Sequence, residues 1–459
     1  MMMQNVLAEK IINGSGRANG CSPFAHDASA SNAISAPATL EDVGLSSSYI
    51  SDLIAKHLYR YGVLSGSEIS QKVCLPFLLI DDLLDDMVQS AKAEKRGGRG
   101  LGNAADVFAL TERGRNFVKQ LLEADTYTGP APVPLTQYET YVRAHSLSNV
   151  SVTEKQLRET WDGFIVDDSM FKQIGPAIRS GKSCFLYGPP GTGKSTLAKA
   201  VARFLDRSGG QVAIPHAVLV GGSVIRVYDP VHHVPIENEK SDPDAVWLDG
   251  TVSNDRRWVM CRRPAVVVGG ELTLDMLDLR YNSTTRFYEA PLQMKANGGV
   301  FTIDDFGRQM VQPKDLLNRW IIPLEERMDY LTLHTGKKFS IPFEQFVVFA
   351  TNLDPADLAD PAFLRRIRYK IYVGAPSQAA YESIFRQECH KKEMNMDGLN
   401  LKAFIDEFYK KTNRLLRACD PRDLTDLISD ECRFNQQNTD ITAERLYQVA
   451  QSYFSDLRT

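Results

Sequence analysis

The segment Gly188-Pro189-Pro190-Gly191-Thr192-Gly193-Lys194-Ser195 constrains the fold of this chain more than any other eight residues in it. Its pattern is G-x-x-x-x-G-K-[ST], set between an apolar run, SCFLY at 183–187, and an amphipathic one, TLAKAVARFL at 196–205. A strand that turns through glycines into a helix points successive amide N–H groups into one concave loop, where phosphate oxygens bind. In that arrangement Lys194 is expected to reach the β- and γ-phosphates and the Ser195 hydroxyl to coordinate Mg²⁺. The phosphate-binding set is therefore Gly188 to Ser195 with Thr196 in the first helical turn.

Further apolar runs follow at intervals filled by helical patterns: AVVVG (265–269), GVFTIDD (299–305) and FVVFATN (346–352). Alternation of this kind predicts an α/β domain with a parallel sheet. After Ala375 the pattern is helical to the end. A phosphate loop alone leaves kinases, GTPases, transporters and motors open. The run Val300-Phe301-Thr302-Ile303-Asp304-Asp305 narrows the choice, because it delivers two carboxylates at a strand end. Asp304 is expected beside the Mg²⁺ held by Ser195, as a Walker-B acid, and Asp305 where a base can orient an attacking water.

With these motifs in order, residues 160–459 resemble the AAA+ ATPases, closest in pattern to MoxR-like members. The resemblance implies ATP and Mg²⁺ as cofactors and a polar sensor after the strand that follows Walker B, here Asn352. It also implies a helix at 315–326 and a hairpin at 329–346 leading into that strand. DPAFLRRIRYKI (360–371) resembles the segment that offers an arginine finger to a neighbouring subunit; Arg366 is favoured, then Arg365, then Arg368. Asp420-Pro421-Arg422-Asp423-Leu424 matches the sensor 2 position, implying that Arg422 touches the γ-phosphate. The second Walker-B carboxylate is usually Glu in this family, and Asp305 is one methylene shorter. The implied assembly is a homo-oligomeric, hexameric ring acting on a protein client. Insertions between the phosphate-loop helix and Walker B often face the pore of such rings, which makes Tyr281, Phe287 and Tyr288, beside Arg280 and Arg286, candidates to grip a polypeptide. Phe164 to Val166 are candidates for the adenine pocket.

The N-terminal third reads differently. Residues 1–38 are rich in Ser, Ala, Asn and Gly and are expected to form a disordered tail. Helical patterns at 46–61, 65–72 and 76–94, a Gly-tipped basic stretch (KRGGRGLGN), the strand-like VFALT and a helix at 112–123 together resemble a winged-helix domain over 39–127. Such a domain would read DNA with its third helix. That helix carries Asp81, Asp82, Asp85 and Asp86, and residues 41–125 hold thirteen acidic against ten basic residues, with Lys95, Arg96 and Arg99 on the wing. Like charge repels phosphates, so protein docking is favoured over nucleic acid. Residues 128–160 are expected to form a linker, 161–375 the nucleotide-binding domain and 376–459 a helical lid.

Composition agrees with a globular chain of about three domains. Of 459 residues, 57 are acidic and 53 basic, a net charge of −4 that excludes a generally polybasic binder of nucleic acid or membranes. No apolar run approaches the ~20 residues of a membrane helix, so a cytoplasmic protein without membrane contact is expected. The seven cysteines form no C-x-x-C pair, and His232-His233 and Cys389-His390 lack partners at ligand spacing, so no metal site of their own is expected. Two other readings remain: a DNA-linked AAA+ regulator or loader, and a P-loop kinase of small molecules, against which Asn352 and Arg422 speak.

Overall fold

The structure is a computed structural model that describes residues 34–98, 103–236 and 254–454. Most of the expected tail and the wing residue Arg99 lie outside the described residues. After a short helical turn at Leu40–Val43, helix α1 (Ser47–Tyr61) begins where the Ser46 hydroxyl accepts the Tyr49 amide. After β1 (Val63–Ser65), α2 (Gly66–Val73) opens on a capping box in which Ser65 and Glu68 satisfy each other's amides. Then come α3 (Phe77–Gln89), β2 (Ala93–Gly98), β3 (Asp106–Leu110) and α4 (Glu112–Ala124). The three strands form one antiparallel sheet in the order β1-β3-β2, and the helices bury Ile50, Leu53, Ile54, Ile80, Leu84 and Val118 against it.

The stretch 126–134 reads as a linker because of its prolines, yet it is held at every turn. The Thr126 amide donates to Thr285 O at 3.1 Å and the Ala131 amide to Val73 O at 2.8 Å. Tyr127 and Ala131 lie in the N-terminal core, and β4 (Val133–Pro134) pairs in parallel with β7 (Ala217–Val220). Proline stiffens the segment and fits it to the edge of a sheet. That sheet also holds β8 (Ser223–Arg226), β11 (Arg280–Tyr281) and β12 (Tyr288–Glu289), in the order β11-β12-β8-β7-β4, while β6 (Gln211–Pro215) and β9 (Trp258–Arg262) form a separate antiparallel pair. Helix α5 (Leu135–Ala144) packs Tyr138, Tyr141 and Val142 against the same region.

The parallel sheet is built from the four expected runs and one further strand. Its strands are β5 (Ser183–Tyr187), β10 (Ala265–Val268), β13 (Val300–Ile303), β16 (Phe346–Thr351) and β17 (Tyr369–Tyr372), in the order β10-β13-β16-β5-β17. All are parallel, so their carboxyl ends share one edge, and β16 stands between the phosphate-loop strand β5 and the carboxylate-bearing β13. Near-continuous apolar runs suit strands buried on both faces: one face packs Leu186, Val201 and Val348, the other Phe185, Phe301 and Trp320. The antiparallel hairpin β14 (Met328–Thr332) and β15 (Lys338–Pro342) precedes β16. The helical C-terminal region follows, with its own core of Tyr381, Phe404, Tyr409, Leu424, Ile428 and Leu446. No helix among the described residues is long and apolar enough to cross a membrane.

Candidate nucleotide site

At the end of β5 the backbone turns at Gly188, whose φ is +142° and whose α-hydrogen faces Val373 O; a Cβ there would sit 2.4 Å from that oxygen. Gly191 (φ +79°) and Gly193 (φ +100°) complete the loop, and the helix α6 (Lys194–Ser208) starts at once. These are conformations that a side chain resists, which is why the sequence spends glycine there. The Thr192 hydroxyl donates to Pro189 O at 3.0 Å. Lys194 Nζ donates to Gly188 O at 3.0 Å and to Pro189 O at 2.7 Å, curling back over the loop. Burial lowers its pKa from the ordinary lysine value, opposed by the charges of Asp305 and Asp304. Pro190 and Thr196 are exposed at the rim.

The strand order brings the carboxylates to this loop. Ser195 Oγ donates to Asp304 Oδ1 at 2.8 Å, although the two are 109 residues apart. A hydroxyl and a carboxylate so paired form a hard oxygen donor set suited to Mg²⁺. Asp305 turns the chain with φ +50°, a left-handed conformation that aspartate tolerates better than most residues. Its amide donates to Asp304 Oδ1 at 3.1 Å, and its own carboxylate is 3.4 Å from Asn352 Nδ2. Gln309 Nε2 pins the turn through Asp304 O at 2.9 Å and Asp305 O at 3.2 Å. The Thr351 hydroxyl holds Phe306 O at 2.7 Å. Gln309 and Thr351 have no motif of their own, and sequence reasoning missed both.

The arginines are placed less simply. Arg366 is half-buried, with Nε 2.9 Å from Glu325, whereas Arg365 and Arg368 are exposed. Arg422, on the first turn of α7 (Asp420–Phe434), is turned onto Asp423 by Nε at 3.1 Å and Nη2 at 2.9 Å. The contact that reaches the phosphate loop comes instead from the residues just before α7: the Cys419 amide donates to Gly191 O at 3.1 Å. On the other side Gln387 Nε2 donates to Gly163 O, which places the helical region against the segment 161–166. Phe164 there packs edge-on to Trp161.

The expected polypeptide grip is corrected for two residues. Tyr288 is buried, its hydroxyl bonded to His334, and Phe287 packs edge-on against Tyr127 and the N-terminal core. Tyr288 lies in β12 of the second sheet, whereas Arg280 and Tyr281 on its edge strand β11, and Arg286, are exposed. No cluster of metal-ligating side chains occurs elsewhere among the described residues.

Fold and loop together define a P-loop nucleotide-binding domain. Residues 184–249 match the family described as "ATPase family associated with various cellular activities (AAA)", and residues 377–452 match a domain of unknown function (DUF8689). The chain is 30% identical over 203 residues to an ATP-dependent zinc metalloprotease FtsH 2 of Symbiobacterium thermophilum, covering 40% of this chain and 32% of that protein. It is 37% identical over 100 residues to a proteasome-activating nucleotidase of Sulfurisphaera tokodaii, covering 21% and 24%. The chain thus spans a third or less of the length of these relatives. Among solved structures, the Thermotoga maritima RuvB Holliday junction branch migration motor aligns over 65% of this chain and 73% of its own, at 14% identity and a TM-score of 0.35. Residues 184–249 of the α/β domain are thus similar to the AAA ATPases, and the site fits ATP with Mg²⁺.

Proposed function

We propose that the chain is an Mg²⁺-dependent AAA+ ATPase of MoxR-like pattern that works as a hexameric ring and remodels a protein client. The observation that carries this reading is the meeting of Lys194, the Ser195–Asp304 pair and the Asp305–Asn352 pair at one sheet edge. Lys194 takes the phosphate chain, and Ser195 with Asp304 holds Mg²⁺. Asp305 orients water for in-line attack while Asn352 fixes the carboxylate. ATP bound with its metal supplies the phosphoryl group; the side chains only position and neutralise. Purified protein is expected to release phosphate from ATP only when Mg²⁺ is present. Asp305→Asn is expected to slow turnover by about a hundredfold while still binding ATP. Turnover at the wild-type rate in that variant would remove Asp305 from the mechanism.

The finger belongs to the same proposal. Arg366 is held by Glu325, so a neighbouring subunit's phosphate must outcompete a half-exposed carboxylate for it. Arg366→Ala in assembled protein is expected to cut turnover by at least about a hundredfold, since a planar guanidinium neutralises charge that spreads in the transition state. Retained turnover would transfer the role to Arg365. We read the N-terminal domain as winged-helix-like and as a protein-docking element. The helix that would enter DNA exposes Asp82 and Asp86, and the wing cation Lys95 is spent on Asp85 at 2.9 Å and Asp106 at 3.4 Å. The names of the two curated relatives, a protease and a proteasome activator, also favour proteins as the client.

A further inference from the structure

The three residues before α7 lie on the phosphate loop, and one of them is an arginine outside every motif. A Cβ on Gly191 would stand 2.7 Å from Cys419 Sγ, 3.2 Å from Arg417 Cδ and 3.3 Å from Arg417 Cβ. A Cβ on Gly193 would meet Ala418 Cβ at 3.9 Å. The stem of Arg417 therefore crosses the middle of the loop, fixed there by the bond from the Cys419 amide to Gly191 O.

The charge of Arg417 bears on the buried Asp420 and on Cys419 through space, without an ion pair. Its side chain is exposed, and no ion pair of its guanidinium occurs among the described residues. The nearest acid in sequence, Asp420, is buried and already accepts the hydroxyls of Tyr409 at 2.8 Å and Tyr453 at 3.0 Å. Arg422 differs on each point: it is engaged by Asp423, and its carbonyl accepts Lys392 Nζ at 3.1 Å. Within the loop Lys194 is the one cation, and a triphosphate carries more negative charge than one lysine and a divalent metal offset.

We infer that Arg417 is a nucleotide-contacting residue, the counter-charge through which the helical region closes on the phosphates of a nucleoside triphosphate. This rests on the ATPase reading above. A guanidinium beside the phosphate loop binds the bound nucleotide before and during transfer alike, so its loss falls mainly on affinity. Arg422, if it meets the γ-phosphate, acts mainly on kcat.

The test uses the full chain and measures ATP and ADP binding by calorimetry, with steady-state KM and kcat, for wild type, Lys194→Ala, Arg417→Ala and Arg417→Lys. Arg417→Ala is expected to weaken ATP binding by about tenfold or more, the worth of one charge-assisted contact, and to raise KM by proportionately more than it lowers kcat. Arg417→Lys is expected to recover part of the affinity, with the nucleotide-free melting temperatures of wild type, Arg417→Ala and Arg417→Lys alike. ATP affinity in Arg417→Ala within twofold of wild type, alongside lost binding in Lys194→Ala, overturns this inference and leaves the ATPase reading standing. Absence of ATP binding in the wild type overturns both.

Discussion

Lys194→Ala is expected to abolish measurable ATP turnover and to cost at least about a hundredfold in ATP affinity. The ammonium is buried and held by Gly188 O and Pro189 O, so in the nucleotide-free protein it stitches the loop together. Burial works against its charge while Asp305 and Asp304 support it. A phosphate that enters the loop replaces carbonyl dipoles with full charges, and the ammonium gains more there than it loses. Alanine removes both the stitch and the charge. ATP stabilises the native state by mass action, so wild-type protein should melt at a higher temperature as Mg²⁺-ATP is raised. Lys194→Ala should show no such rise, and its nucleotide-free melting temperature should stay close to that of wild type, because the loop lies at a surface edge. A persistent ATP-dependent rise in the variant would mean that the nucleotide sits elsewhere.

The parts of this site that were legible in the sequence share one property: each is spelled locally. The glycines of 188–193, the strand ending in Asp304-Asp305 and the strand ending at Asn352 carry their meaning in consecutive residues. Parallel strands buried on both faces then carry those ends to one edge without further instruction. What stayed hidden is tertiary. β17 is short and only Ile371 in it is buried, so it stood out from the arginine-finger segment 360–371 by no apolar run of its own. The second sheet uses two-residue strands, too short for any period to register, and its pairing of Val133 with Val218 spans 85 residues. For the same reason Phe287 and Tyr288 looked available for a polypeptide when the sheet and the N-terminal core had claimed them. Arg417 is the sharpest case. Nothing in its neighbours marks it, and only the fold of the helical region lays it across Gly191.

Arg257→Ala is expected to destabilise the protein by about 3–5 kcal/mol. Arg257 and Asp255 are each 2% exposed in their side chains and bond to each other at 2.8 Å. The same guanidinium donates to Val43 O at 2.8 Å in the N-terminal domain and reaches Gln137 Oε1 on α5 at 3.3 Å. The Asp255 amide in turn donates to Ile34 O at 2.7 Å. One arginine thus ties three stretches of chain where the N-terminal domain meets the ATPase domain. Removing it strands a buried carboxylate and a buried carbonyl, which water cannot reach without opening the seam. The loss should appear as a lower urea midpoint for the N-terminal domain and faster amide exchange in residues 40–134, ahead of any change in the parallel sheet. Replacing both partners by apolar residues, Asp255→Leu with Arg257→Met, should recover most of that stability, since the attraction between the pair largely offsets the cost of burying it. A single variant as stable as wild type to within about 1 kcal/mol would show that the seam is held by its apolar contacts, Tyr127 against Phe287 first among them, and that the ion pair contributes little.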